Sequence, residues 1–135
     1  METQYTIDVI CTPGRPLATW TLNGKRHNDT IKVEPGDKLV FKFQDPAGTP
    51  LNDMTECMLM SGAMDAEDGD SPFTVVTPYR LADNDGQVTV AKLKKGLWGF
   101  SIAIVDKQPV NHNGRKSAFY FLPDPELQVG SNGGD

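Results

Sequence analysis

Two peptide bonds in this chain carry chemistry of their own. Asp-Pro occurs at Asp45-Pro46 and again at Asp124-Pro125. The prolyl nitrogen is tertiary, more basic than a secondary amide nitrogen, and easier to expel once protonated. The Asp carboxyl can attack its own main-chain carbonyl and form a cyclic anhydride. This is intramolecular nucleophilic catalysis, with the entropy advantage of a tethered reactant. Proline has no N–H, so the competing succinimide route is closed. A fold can promote the reaction by twisting the amide, by keeping a carboxyl protonated, or by placing a proton donor at the prolyl nitrogen.

The two bonds differ in setting. Asp45-Pro46 follows an alternating strand and opens a loop, which a turn explains. Asp124-Pro125 stands between two prolines in Leu122-Pro123-Asp124-Pro125-Glu126, after the aromatic run Phe119-Tyr120-Phe121. Pro123 and Pro125 both restrict the backbone around Asp124. An inert proline-rich tail is the competing reading of the same residues.

Metal chemistry has fewer donors. His27 and His112 are the two histidines, and Met54, Met58, Met60 and Met64 surround Cys57. Soft thioether and thiolate ligands favour Cu(I), so a copper site on Cys57, Met58 and Met60 is one alternative. Neither histidine stands near Cys57 in sequence, and methionines also fill irregular cores. The acidic stretch Asp65 to Asp70 and the group Asp83-Asn84-Asp85-Gly86 lack the spacing of a calcium loop and read as solvated turns. No metal or cofactor is expected. The chain has no Gly-x-Ser-x-Gly elbow and no phosphate-cradling loop before a helix. Trp20 and Trp98 read as core anchors.

The elements that must position these residues are strands. Gly 13 and Pro 10 punctuate short apolar runs across 135 residues, the pattern of an all-β chain. Tyr5, Ile7, Val9 and Cys11 alternate with less apolar positions. Leu17 to Leu22 follows, and Asn23-Gly24 signals a two-residue hairpin. Ile31 and Val33 make a short strand before a Pro35-Gly36 turn. Leu39, Phe41 and Phe43 then alternate cleanly. Residues 45–56 read as loop, Cys57 to Met60 as a short strand, and residues 61–72 as an acidic loop. Phe73 to Val76 and Gln87 to Leu93 read as strands. Leu97 to Val105 is the longest apolar stretch and reads as the central strand. Ser117 to Leu122 is the last expected strand. The expectation is an immunoglobulin-like or cupredoxin-like antiparallel β-sandwich of about eight strands. Residues 1–122 would form the sandwich, and residues 123–135 a C-terminal tail carrying the Pro-Asp-Pro-Glu motif.

Charge and composition exclude several roles. Lys+Arg is 13 and Asp+Glu 18, for a net charge of −5. An acidic chain without a basic cluster is a poor nucleic-acid binder. No run is apolar and long enough to span a membrane. The start, Met1-Glu2-Thr3-Gln4-Tyr5, has neither a basic nor an apolar signal segment. Two cysteines are too few for a disulfide scaffold. A cytoplasmic protein of bacterial style is expected. A non-catalytic binding module presenting loops 45–56 and 62–72 is a further alternative, and edge strands would allow a homo-oligomer.

The segment Phe119-Tyr120-Phe121-Leu122-Pro123-Asp124-Pro125-Glu126 resembles the DP-EP family of small bacterial β-sandwich proteins. At least one branch of that family is a self-cleaving aspartic-type peptidase. The resemblance implies that Asp124-Pro125 is the scissile bond, with Asp124 the participating carboxyl and Pro125 the leaving amine. Pro123 and Glu126 then flank the site, and the partner is the chain's own C-terminal peptide. No second catalytic carboxyl stands out among the eighteen acidic residues.

Overall fold

The computed structural model describes residues 2–26, 30–51, 56–66, 69–92, 95–107, 118–123 and 125–130. They form two packed sheets. The strands are β1 (Gln4–Ile10), β2 (Thr19–Leu22), β3 (Lys25–Arg26), β4 (Ile31–Val33), β5 (Lys38–Gln44), β6 (Met58–Ala66), β7 (Tyr79–Arg80), β8 (Gln87–Thr89), β9 (Gly96–Asp106), β10 (Ala118–Leu122) and β11 (Glu126–Val129). One 3₁₀ helix, Leu81–Asn84, lies among the described residues.

The first sheet runs β3-β2-β1-β5-β8. In β1, Ile7 and Val9 face inward, and Cys11 continues the phase just beyond it. Asn23 (φ 51) and Gly24 (φ 81) turn β2 into β3. Both need positive φ, which is why Asn-Gly signals this hairpin. The Asn23 side chain accepts the Thr6 amide at 2.8 Å and so pins the hairpin to β1. Beyond β4, the Asp37 carboxylate accepts the Thr3 and Glu34 amides, each at 2.9 Å. That explains why an acidic side chain is buried there.

The second sheet runs β4-β11-β9-β6-β7, and β10 also pairs with β9. The expected central strand is central: β9 pairs with β6, β10 and β11. Its inward residues Trp98, Phe100, Ile102 and Ile104 are buried and form the main wall of the core. Phe100 meets Phe41 of the first sheet edge-on, with ring centroids 5.8 Å apart. This is a favoured aromatic geometry, and it joins the sheets. Trp98 is a core anchor, and its indole N–H donates to the Gly69 carbonyl at 2.9 Å.

The all-β sandwich is as expected, with four differences in detail. Both sheets are mixed rather than purely antiparallel, because β1 runs parallel to β5 and β11 parallel to β4. Residues 61–66, expected in a loop, extend β6 along β9. Small residues such as Gly62 and Ala63 carry little strand propensity, so tertiary pairing decides there. Phe73 to Val76 is no strand; Phe73 alone bridges Val90. Finally, residues 126–129, expected in a tail, form an inner strand between β9 and β4.

Candidate functional site

The Pro-Asp-Pro-Glu segment joins β10 to β11 along one edge of β9. Leu122 pairs with Ile102, and Glu126 pairs with Gly99. Three positions therefore separate Leu122 from Glu126, where two separate their partners Ile102 and Gly99. This is a one-residue β-bulge in the count of paired positions. Prolines suit it, since they cannot donate to a ladder and are confined to edges and bulges.

The bulge sets the phase of both strands. In β10, Tyr120 and Leu122 face inward. In β11, Leu127 and Val129 do so, while Glu126 and Gln128 face outward. In an unbroken strand of the same length, the alternation of β10 would carry Leu127 to the outer face.

Both flanks of the site are anchored. Pro125 is buried, and its carbonyl accepts the Phe100 amide at 2.9 Å. Pro123 is half-buried. Glu126 is half-buried, and its carboxylate accepts the Thr30 hydroxyl at 3.1 Å. On the outer side of β10, the Phe121 amide donates to Pro16 at 2.7 Å, and the Ala18 amide donates to Phe121 at 2.9 Å. Asp124, the expected participating carboxyl, lies outside the described residues. Phe100 and Thr30 had no signal in the sequence: one acts through its backbone, and the other comes from the far side of β11.

Asp45-Pro46 is a turn. The Asp45 carboxylate accepts the Ala47 and Thr49 amides, each at 2.9 Å. The Gly48 amide donates to the Asp45 carbonyl at 2.9 Å. The carboxylate is engaged by the loop ahead of it and caps its turn.

The proposed copper ligands do not converge. Strand alternation turns Leu59 inward and Met58 and Met60 outward. Cys57, just before β6, shares the inward phase and is fully buried. Cys57 and the two thioethers thus lie on opposite faces of the sheet. Among the described residues, no group of three or more His, Cys, Asp or Glu side chains is placed to hold a metal ion. His27 and His112 lie outside the described residues, as do Glu67 and Asp68 of the acidic stretch. Asp83 pairs instead with Arg80 at 2.9 Å.

A second polar group sits inside the sandwich. Cys11, Cys57, Asp106 and Tyr120 are all buried. The Val105 amide donates to the Cys57 sulfur at 3.4 Å. Burial pushes the Cys11 thiol up to about 12, helped by Cys57 and Asp106. Burial also raises Tyr120, with Cys11 and Asp106 adding to the effect. The Cys11 thiol is inert as a nucleophile, because reactivity needs the thiolate. Asp106 is no help to the bulge; it lies about 20 Å along β9 from Phe100, at ~3.3 Å per residue.

No family model matches the chain, and no curated protein matches it. Among solved structures, the chain is similar to an inclusion body protein, PixA, from Burkholderia cenocepacia J2315. The match covers 95% of each chain at 13% identity, with a TM-score of 0.45.

Proposed function

We propose that the protein cuts its own chain once, at Asp124-Pro125. The Asp124 carboxyl oxygen bonds to its own main-chain carbonyl carbon and the C–N bond to Pro125 breaks. A proton goes to the prolyl nitrogen, which leaves as a secondary amine. Water then opens the anhydride and restores both carboxyls of Asp124. The observation that carries this reading is the bulge opposite Phe100 and Ser101, held on both sides by β9. The Phe100 amide fixes Pro125 on the leaving side of the bond, and fixed geometry is what an intramolecular attack needs. Bulges also concentrate next to active sites. Glu126 is the carboxyl adjoining the bond in sequence. In this reading the C-terminal peptide is both substrate and partner. The protein works in the cytoplasm, where two buried thiols stay reduced.

Intact mass is the test. Wild type, Asp124→Ala and Asp45→Ala are incubated from acidic to neutral pH. A fragment ending at Asp124, lost in Asp124→Ala and kept in Asp45→Ala, is expected. If wild type stays whole, or is cut equally at both Asp-Pro bonds and only in strong acid, the proposal fails.

A second reading is a homo-oligomeric interaction module, favoured by one surface. Leu17 is 60% exposed, Phe119 69% and Phe121 39%. Leu17 pairs with Phe121, Phe121 with Ala103, and Ala103 with Met58, so an apolar row crosses the outer face. Such rows mark interaction sites. Light scattering of wild type against Phe119→Ser tests it: a wild-type dimer that becomes a monomer supports the module, and a wild-type monomer removes it.

A further inference from the structure

One cavity opens away from the bulge, at the side of the sandwich where β5 faces the 3₁₀ helix. Its volume is about 240 Å³, and Phe41, Phe43, Cys57, Leu81, Ala82, Asp85 and Gly86 line it. The frame is hydrogen-bonded backbone. The Phe41 amide donates to Gly86 at 2.9 Å, Gly86 to Leu81 at 2.8 Å, and Leu81 to Cys57 at 3.0 Å. This chain of bonds ties the first sheet to the second across the cavity rim. The site is therefore preformed, as small-molecule sites usually are.

Its chemistry is lopsided. Two aromatic rings and Leu81 supply an apolar wall. The Cys57 thiol is engaged with the Val105 backbone, which leaves one charged group, Asp85. That residue is exposed and follows the 3₁₀ helix in the left-handed conformation. Its neighbour Asp83 is paired with Arg80. Among the described residues no cation pairs with Asp85.

We propose that this cavity binds a small arylalkylammonium ion, with the ring between Phe41 and Phe43 and the ammonium on Asp85. Size selects the class. A cavity of about 150 Å³ holds one benzene ring. The remaining ~90 Å³ fits roughly three more heavy atoms, at the ~30 Å³ share of one water. Aromatic walls favour the ring edge-on and also attract the cation. The net charge of −5 draws cations toward the protein.

The probe is 2-phenylethylamine, titrated into the full chain by calorimetry. 2-Phenylethanol supplies the ring without the charge, and propylamine the charge without the ring. Saturable binding of the amine is expected, about 3-fold tighter than the alcohol, as befits an ion pair at an exposed rim. Propylamine should not saturate. Asp85→Asn should weaken the amine to the level of the alcohol; asparagine tolerates the left-handed backbone, so the variant keeps the fold. Ala82→Trp, at an exposed lining position, should fill the cavity and abolish binding while melting as wild type. No saturable binding of the amine, or amine binding unchanged in Asp85→Asn, overturns the proposal. Neither result bears on cleavage at Asp124-Pro125, which is read by mass.

Discussion

Leu122 and Leu127 face the same core although they stand five positions apart. In an unbroken strand they would point to opposite faces. The bulge between β10 and β11 reconciles the two, and it does so at the Pro-Asp-Pro segment.

Leu127→Ala should therefore destabilise the protein by about 2–5 kcal/mol, the range for an emptied core position. Urea unfolding measures it. A cost near zero would mean that residues 126–129 do not hold the inner position between β9 and β4.

Deleting Pro123 should be tolerated better than Leu127→Ala. It removes the extra residue and leaves two positions against two, so Leu127 and Val129 keep their inward phase and β11 its register. Circular dichroism should show a folded chain. An unfolded or molten chain would mean that the step from β10 to β11 needs the extra residue.

If Asp124-Pro125 is cut, the peptide 125–135 should stay in place. β11 pairs on both sides, with β9 and β4, and its Leu127 and Val129 are buried. Denaturing mass spectrometry should resolve two pieces where native mass spectrometry shows one mass. Early loss of the peptide under native conditions would contradict this placement.

Gly86→Ala should cost about 1–3 kcal/mol. Gly86 has φ 78, and an added Cβ would lie 2.7 Å from the Phe41 carbonyl oxygen. Gly62→Ala is the control, since an added Cβ meets nothing within 4 Å there. That change should fall within about 0.5 kcal/mol of wild type. Thermal melts of the pair decide the matter.

Alkaline pH should unfold the protein earlier through Cys11. Its thiol loses a proton near 9.0 when unfolded and only near about 12 when folded. The folded state holds the proton longer, so this contribution is whole below the unfolded value. It then falls as pH rises toward the folded value. Cys11→Val should flatten the loss of stability above that lower value. Tyr120, also raised, leaves a residual slope. An unchanged alkaline slope in Cys11→Val would exclude Cys11 as its source.

Much of the fold was legible where local pattern and tertiary role agree. The alternation of Ile7, Val9 and Cys11, the Asn23-Gly24 hairpin and the apolar run of β9 each announce themselves. Others were hidden because a partner strand decides them. Ser61 to Ala66 lacks β-branched residues and is held as strand by β9. Glu126 to Val129 alternates, but over four residues behind two prolines, which suggested an end rather than a bulge. At the candidate site, Asp-Pro is visible as chemistry in the sequence. The amide of Phe100 is not, because every residue but proline has one and only register chooses among them.

The placement of β11 also bears on how the chain folds. Its four residues fill the slot between β4 and β9, so Ile31 meets Leu127 across more than two thirds of the chain. Contacts of such sequence separation raise the entropic barrier to folding and slow it. The second sheet cannot close before residues 126–129 have been synthesised. Until then the inner edges of β4 and β9 are unpaired, open to wrong partners. Self-cleavage before that closure would leave a chain without its inner strand, so any cut compatible with a stable fold must come after it.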